Sequence, residues 1–309
     1  MGIHIASSIL FLGTGTDPYV VGKGLRSAGG IVIQVNDNQF HLDPGPGSLQ
    51  MAKAVGINLR AHTSLLVSSN DLYLCSDLNL VIDAMTYSGF DKKGVLLTTK
   101  SVLNGTDGFV LSTLHRDFLE RYIAMQPGQR VGINDIEIEA LKTTNTLSIG
   151  FKIFTSSFTL AYTSLTKYSP EVAEQYKDCG ILIVNFADPH SGLGKDGVVK
   201  LLNWAQPRLA VLTGFGNKMI EADPLYIARE IQKETGIQTI AARDGMVLNP
   251  ASYAAQEGQR TFGTFSADEK KVRIIGSVAE PAAESEEQPK DQQKTLTIEE
   301  SDHTPENNP

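Results

Sequence analysis

At 309 residues the chain is long enough to bury a full core, as one large domain or two small ones. Its 41% hydrophobic and 20% charged residues are ordinary for a soluble globular protein, and no run approaches the roughly 18 apolar residues of a membrane span, so a membrane role is excluded. The net charge of −8 sits almost wholly in residues 279–309, where nine acids and two lysines give −7; the body, near −1, has no global field for nucleic acid or an acidic membrane.

In chain order, the apolar stretch after the start reads as a first strand, Ser8–Gly13, not a signal peptide, because no basic region precedes it. Gly30–Val35 and Gln39–Asp43 alternate around Asn36-Asp37-Asn38, a hairpin signal. Asp43-Pro-Gly-Pro-Gly is a rigid turn into a helix near Ser48–Val55. A strand at Leu65–Val67, a helix from Asp77 to Tyr87 and a strand at Val95–Thr99 follow. The second half repeats the order. Gly150–Phe154 and Thr159–Tyr162 flank Ser156-Ser157, and Ser169-Pro170 opens a helix with a capping hydroxyl and proline at the first turn. Then come a strand at Ile181–Asn185, a helix at Asp196–Trp204, a strand at Leu209–Thr213, a helix at Pro224–Thr235 and a strand at Thr239–Ala242. Hairpin, turn, helix and strand thus occur twice. Two such halves, each with an apolar sheet face to cover, pack as an α/β sandwich with helices outside. Residues 1–278 form this domain; residues 279–309, rich in Glu, Gln, Pro and Asn, form an acidic tail that cannot bury enough surface to order itself.

Cys75 and Cys179 are isolated and lack CxxC spacing. They read as small core residues in a reduced, cytoplasmic setting. Gly13-Thr14-Gly15 fails as a dinucleotide fingerprint because Pro18 stands at the third glycine, and Gly192–Asp196 lacks the spacing and hydroxyl of a phosphate loop. Ser69 lacks the GxSxG flanks of a nucleophile elbow. His41, on a strand beside Asp43, reads as a structural histidine. Lys142, Lys152 and Lys167 are either solvated surface or a residual anion patch.

Several segments together resemble the metallo-β-lactamase-fold hydrolases, closest to the ribonuclease-Z-like branch of archaeal type. They are FLGTGTDP, RSAGGIVI, HLDPGPGSL, DLNLVIDAMT, YTSLTKYSPEVAEQY, ILIVN, TGFGNKM and DPLYIAREI, spread over roughly residues 8–250. The resemblance implies an αββα four-layer sandwich. It also implies a metal site, and there the chain departs from the pattern. Where relatives carry HxHxDH, the matching positions are Ser69, Asp71, Tyr73 and Leu74. The next ligand histidine matches Thr143, the bridging aspartate matches Leu165, and the last histidine matches Gly214. A dinuclear zinc site needs several imidazoles and a shared carboxylate; Leu74, Leu165 and Gly214 offer no side-chain donor. Asp43 matches a family aspartate that ties down the ligand loop, and is the first of three weak catalytic candidates with Asp71 and His190.

The expected function is therefore a catalytically silent member of this fold, with no cofactor, acting by binding as partner or regulator of an active homologue. A homodimer and a weak contact with nucleic acid are the other partners the resemblance implies. The competing expectation is a phosphodiesterase or nuclease using zinc or manganese at a site rebuilt from Asp43, Asp71, Asp188 and His190.

Overall fold

A computed structural model describes residues 7–105, 108–187 and 192–253. The chain divides into two units, Met1–Glu257 and Gly258–Pro309. The second unit lies outside the described residues, and with it the boundary expected at 278 and the acidic tail.

Strand-forming runs, buried almost throughout except in the last, build the first sheet from β1 (Ser8–Phe11), β2 (Ile31–Val35), β3 (Asn38–Leu42), β4 (Ser64–Leu66), β5 (Val95–Thr98) and β6 (Arg121–Ala124). The second holds β7 (Arg130–Ile133), β8 (Ile136–Lys142), β9 (Ile149–Phe154), β10 (Thr159–Tyr162), β11 (Ile181–Asn185), β12 (Leu209–Thr213) and β13 (Thr239–Ala241). A short β14 (Val247–Leu248) returns to the first sheet beside β1. The two orders are β14-β1-β2-β3-β4-β5-β6 and β7-β8-β9-β10-β11-β12-β13. Pairing directions match between the halves. In each, three antiparallel pairings lead to a hairpin partner, β3 or β10, and three parallel pairings follow. The repeat seen in the sequence is thus a repeat of topology.

Asn36 and Asp37 both have positive φ, 47° and 62°, and Val35 pairs with Asn38 across them. That is the two-residue turn whose twist suits a hairpin.

The helices are α1 (Pro18–Gly22), α2 (Ser48–Ala54), α3 (Leu72–Cys75), α4 (Leu78–Thr86), α5 (Lys100–Asn104), α6 (Thr113–Asp117), α7 (Pro170–Glu174), α8 (Gly194–Ala205), α9 (Asn217–Glu221) and α10 (Pro224–Thr235). Side-chain alternation sorts each strand between two cores. Ile181 and Ile183 of β11 face the inter-sheet core with Phe40, Leu66 and Phe151, while Leu182 and Val184 face outward onto α7, α8 and α10. On the other side Leu65 and Val67 meet Leu78, Val81, Ile82 and Met85 of α4. The layers are helix, sheet, sheet, helix.

The stretch 100–148 adds α5, α6, β6, β7 and β8 to the expected elements. The alternation of Ile136-Glu-Ile-Glu-Ala-Leu is a plain strand signal that completes the second sheet. Cys75 and Cys179 are buried and unbridged.

Candidate functional site

The parallel strands β3, β4, β10, β11 and β12 all end at one side of the sandwich, where their following loops converge. In open α/β sheets this carboxyl end is where ligands gather. Asp43 follows β3, Ser68–Leu74 follow β4, Thr163–Thr166 follow β10, Asn185–Ala187 close β11, and Gly214 follows β12.

Asp43 is 3% exposed and takes a left-handed backbone, φ 51°, which aspartate tolerates. Its Oδ1 accepts the Ser68 backbone N–H at 2.7 Å and its Oδ2 accepts the Ser68 hydroxyl at 2.7 Å. The Ser164 hydroxyl donates to Ser68 Oγ at 2.6 Å. From the other side the Tyr162 hydroxyl lies near the carboxylate and helps to hold its pKa down, while Asn185 Nδ2 donates to Tyr162 Oη at 3.2 Å. Groups from both halves therefore converge on one carboxylate: Ser68 from the first, and Ser164 and Tyr162 from the second. Burial pushes Asp43 up to about 7; its hydrogen bonds to Ser68 and Tyr162 pull the other way, and the Asp71 charge adds to the rise. Burial and the adjacent Asp43 raise the Tyr162 phenol well above its usual range.

The seven family positions lie in this region and do different work. Leu74 and Leu165 come together with Ala187 in a small apolar cluster of their own. Gly214 has φ 68°, and a Cβ there would stand 2.1 Å from Asn185 Oδ1. Thr143 Oγ1 donates to the Asn145 and Ser148 carbonyls at 2.7 and 2.8 Å. Ser69 pairs with Ser148 in an isolated bridge that ties the first sheet's loop to the second sheet. Asp71 caps α3, its Oδ1 accepting the Tyr73 N–H at 2.8 Å, and burial raises its carboxyl. Tyr73 lines a cavity of about 20 Å³ together with Asp43, Leu74, Tyr162, Asn185 and Gly214. That is space for about one water.

These positions do not fit a pair of cations. Two supply leucine methyls already packed on each other, one has a neighbouring amide in its side-chain space, and the one buried carboxylate among their neighbours is committed to protein donors. Among the described residues no group of three or more His, Cys, Asp or Glu is placed to hold a metal. Asp188 and His190 lie outside the described residues. The three lysines are dispersed: Lys142 pairs with Glu171 at 2.7 Å, Lys152 donates to the Gln175 and Lys177 carbonyls, and the Lys167 backbone N–H donates to Thr144 Oγ1.

The donor network of the Ser68, Ser164 and Tyr162 hydroxyls and the Asn185 carboxamide is not marked by any local pattern. Its one clue was Asp43 itself: a carboxylate kept in an apolar setting requires donors around it.

His41 and His62 are buried nearby on the outer face of the first sheet. His41 Nε2 lies 2.8 Å from the Gly29 carbonyl, His41 Nδ1 lies 3.3 Å from His62 Nε2, and His62 Nδ1 lies 2.7 Å from Gln39 Nε2. One tautomer set satisfies the whole chain: each histidine donates from Nε2 and accepts at Nδ1. Burial lowers His41 to about 4 and lowers His62 as well, so both are neutral at pH 7.

The layer order, the paired seven-stranded sheets and the loop cluster at their ends define the metallo-β-lactamase fold, and the chain has that fold. It is similar in structure to the metallo-β-lactamase fold protein YhfI of Bacillus subtilis, with TM-score 0.62 and 16% identity, covering 79% of this chain and 99% of that one. It is similar also to the zinc-bound PqqB of Methylobacterium extorquens, with TM-score 0.60 and 12% identity over 78% and 99% of the two chains. The short form of human tRNase Z matches with TM-score 0.55 and 12% identity over 78% and 98%. In sequence the chain is 28% identical over 249 residues to an uncharacterized protein of Methanocaldococcus jannaschii, covering 77% of this chain and 93% of that protein. No protein-family model matches the chain.

Proposed function

We propose that this chain is a non-catalytic member of the metallo-β-lactamase fold that acts by binding, as a cytoplasmic partner or regulatory subunit. The observation that carries this reading is the packing of Leu74 on Leu165 and Ala187 at two positions matching metal ligands in the fold's hydrolases. Filling those positions with methyl groups removes both the donors and the polar groups that a departed metal would strand, at about 1–3 kcal/mol each. The result is a packed apo-protein whose loops stay ordered by hydroxyl and amide bonds. A homodimer, or a pairing with an active homologue, is the form of partnership this scaffold suits. Two buried, unbridged cysteines support a reduced compartment, and no helix among the described residues is long and apolar enough to cross a membrane.

Metal analysis of the purified full chain, with a phosphodiesterase assay in added Zn²⁺ or Mn²⁺, tests the reading. It expects far less than one metal per chain and no turnover. About two zinc ions per chain, or activity abolished by Asp71→Ala, would overturn it in favour of a rebuilt hydrolase site.

A further inference from the structure

A second, larger recess lies beside the loop cluster. It is a groove of about 600 Å³ between α5 and the turn after β6 on the first sheet and the β8–β9 loop on the second. Its size suits a small organic ligand. Its walls are pinned to each other: Ser101 Oγ donates to the Leu147 carbonyl at 3.2 Å, and the Ile149 N–H donates to the Ser68 carbonyl at 2.9 Å. The recess is therefore preformed.

Its chemistry is one-sided. Among the described residues Lys100 and Lys142 line it, and no Asp or Glu does. Lys142 is paired with Glu171 outside it, so Lys100 is the cation at hand. Two carboxamides in the lining have their oxygens already occupied. Asn104 Oδ1 accepts from Arg116 Nη1 at 3.3 Å, and Asn145 Oδ1 accepts the Leu147 N–H at 3.0 Å. With the oxygens held by the protein, the NH₂ ends are left as donors. One ammonium and two amide donors call for a ligand rich in acceptor oxygens and negative charge. A phosphoryl group, with three terminal oxygens, matches this better than a two-oxygen carboxylate. Pro127 and Leu147 add apolar wall that an inorganic ion would leave uncovered.

We propose that this groove binds a small organic phosphomonoester, held at its phosphate by Lys100, Asn104 and Asn145 and at its organic part by Pro127 and Leu147. The proposal extends the binding reading above to a recess beside the metal-matching positions, and it needs no metal.

Isothermal titration of the full chain in EDTA with adenosine 5′-monophosphate, adenosine and inorganic phosphate tests it. The monophosphate should bind saturably at one per chain, adenosine should not bind, and phosphate should bind at least about tenfold more weakly. Lys100→Gln should weaken the monophosphate about tenfold or more, as expected for one charge-assisted contact, while Lys100→Arg retains it. Asn104→Asp keeps the oxygen that Arg116 uses and replaces the NH₂ by a second anionic oxygen; it should weaken binding at least as much. Circular dichroism checks that both variants fold. No saturable binding at millimolar monophosphate, affinity unchanged from the parent in Lys100→Gln or Asn104→Asp, or binding that appears only with zinc would each overturn the assignment. Metal-dependent phosphodiester cleavage, by contrast, would overturn the non-catalytic reading while leaving binding measured in EDTA intact.

Discussion

Leu165→Asp puts a carboxylate at the position that the family resemblance matches to the bridging aspartate, and its energetics follow from the neighbours. Leu165 is 7% exposed and packs on Leu74 and Ala187. Removing the leucine side chain forfeits about 2–3 kcal/mol of apolar burial. The new carboxyl has methyl groups around it and Asp43 and Asp71 close in the same loop cluster, so folding must keep it protonated. Holding a carboxyl of ordinary pKa about 3.9 neutral at pH 7 costs about 4 kcal/mol. The sum, about 6–7 kcal/mol, is comparable with the whole stability of a typical domain, about 5–15 kcal/mol. Leu165→Asn carries the burial loss and an unmet amide but no ionisation penalty. The two variants should therefore differ by about 4 kcal/mol at pH 7 and by only about 1–2 kcal/mol at pH 5, because the protonated acid is the folded form and its penalty shrinks as pH falls. Urea unfolding followed by circular dichroism at both pH values, with and without equimolar zinc, measures this. Restoration of Leu165→Asp by zinc, or a loss below about 1 kcal/mol at pH 7, would refute the reasoning, since either means that the site still provides a cation or a polar partner.

Asp43 and His41 oppose each other in acid. Asp43 is raised from 3.8 to about 7, so the native state holds its proton longer than the unfolded chain, and acid stabilises the fold between those values. His41 is lowered from 6.5 to about 4, so the unfolded chain takes up the proton first and acid destabilises the fold between those values, by about 3 kcal/mol in full. Asp43→Asn should thus convert a shallow acid dependence into a steep loss of stability between pH 6.5 and 4, read by denaturant melts; an unchanged profile would show that Asp43 is ionised in the fold well below pH 7. Ser68→Ala removes the hydroxyl that joins Ser164 to Asp43 and should lower stability by about 1–3 kcal/mol, with no effect if water takes its place. Gly214→Ala meets both a left-handed backbone and Asn185 Oδ1, and should cost about 2–4 kcal/mol in thermal unfolding; a melting point within a degree of the parent would show that Asn185 moves aside freely.

Much of the fold was legible in local chemistry. Asn36-Asp37 dictates its hairpin because both residues tolerate positive φ. Ser169-Pro170 opens α7 with a capped first turn, the Ser169 hydroxyl accepting the Val172 N–H. Ile181–Asn185, Leu209–Thr213 and Pro224–Thr235 match the expected elements residue for residue, since each carries an unbroken apolar run or a periodic face between clear breakers. The region from Lys100 to Ser148 was harder. Its helices are five residues long, and its strands β6 and β7 are half-exposed, so neither periodicity nor composition marks them strongly.

By itself the sequence determined most of the strand and helix order outside residues 100–148, the doubled half and the residue types at the positions the resemblance matches to metal ligands, because turn preference, alternation and side-chain chemistry are properties of short segments. Only the tertiary structure decided that Leu74, from the first half, packs on Leu165, from the second. It also decided that Ser68 and Tyr162 share one carboxylate, and that Asn104 and Asn145 line one groove. Those contacts join residues about ninety, about ninety and about forty positions apart in the three cases, and their energies depend on burial and distance, which no local pattern encodes.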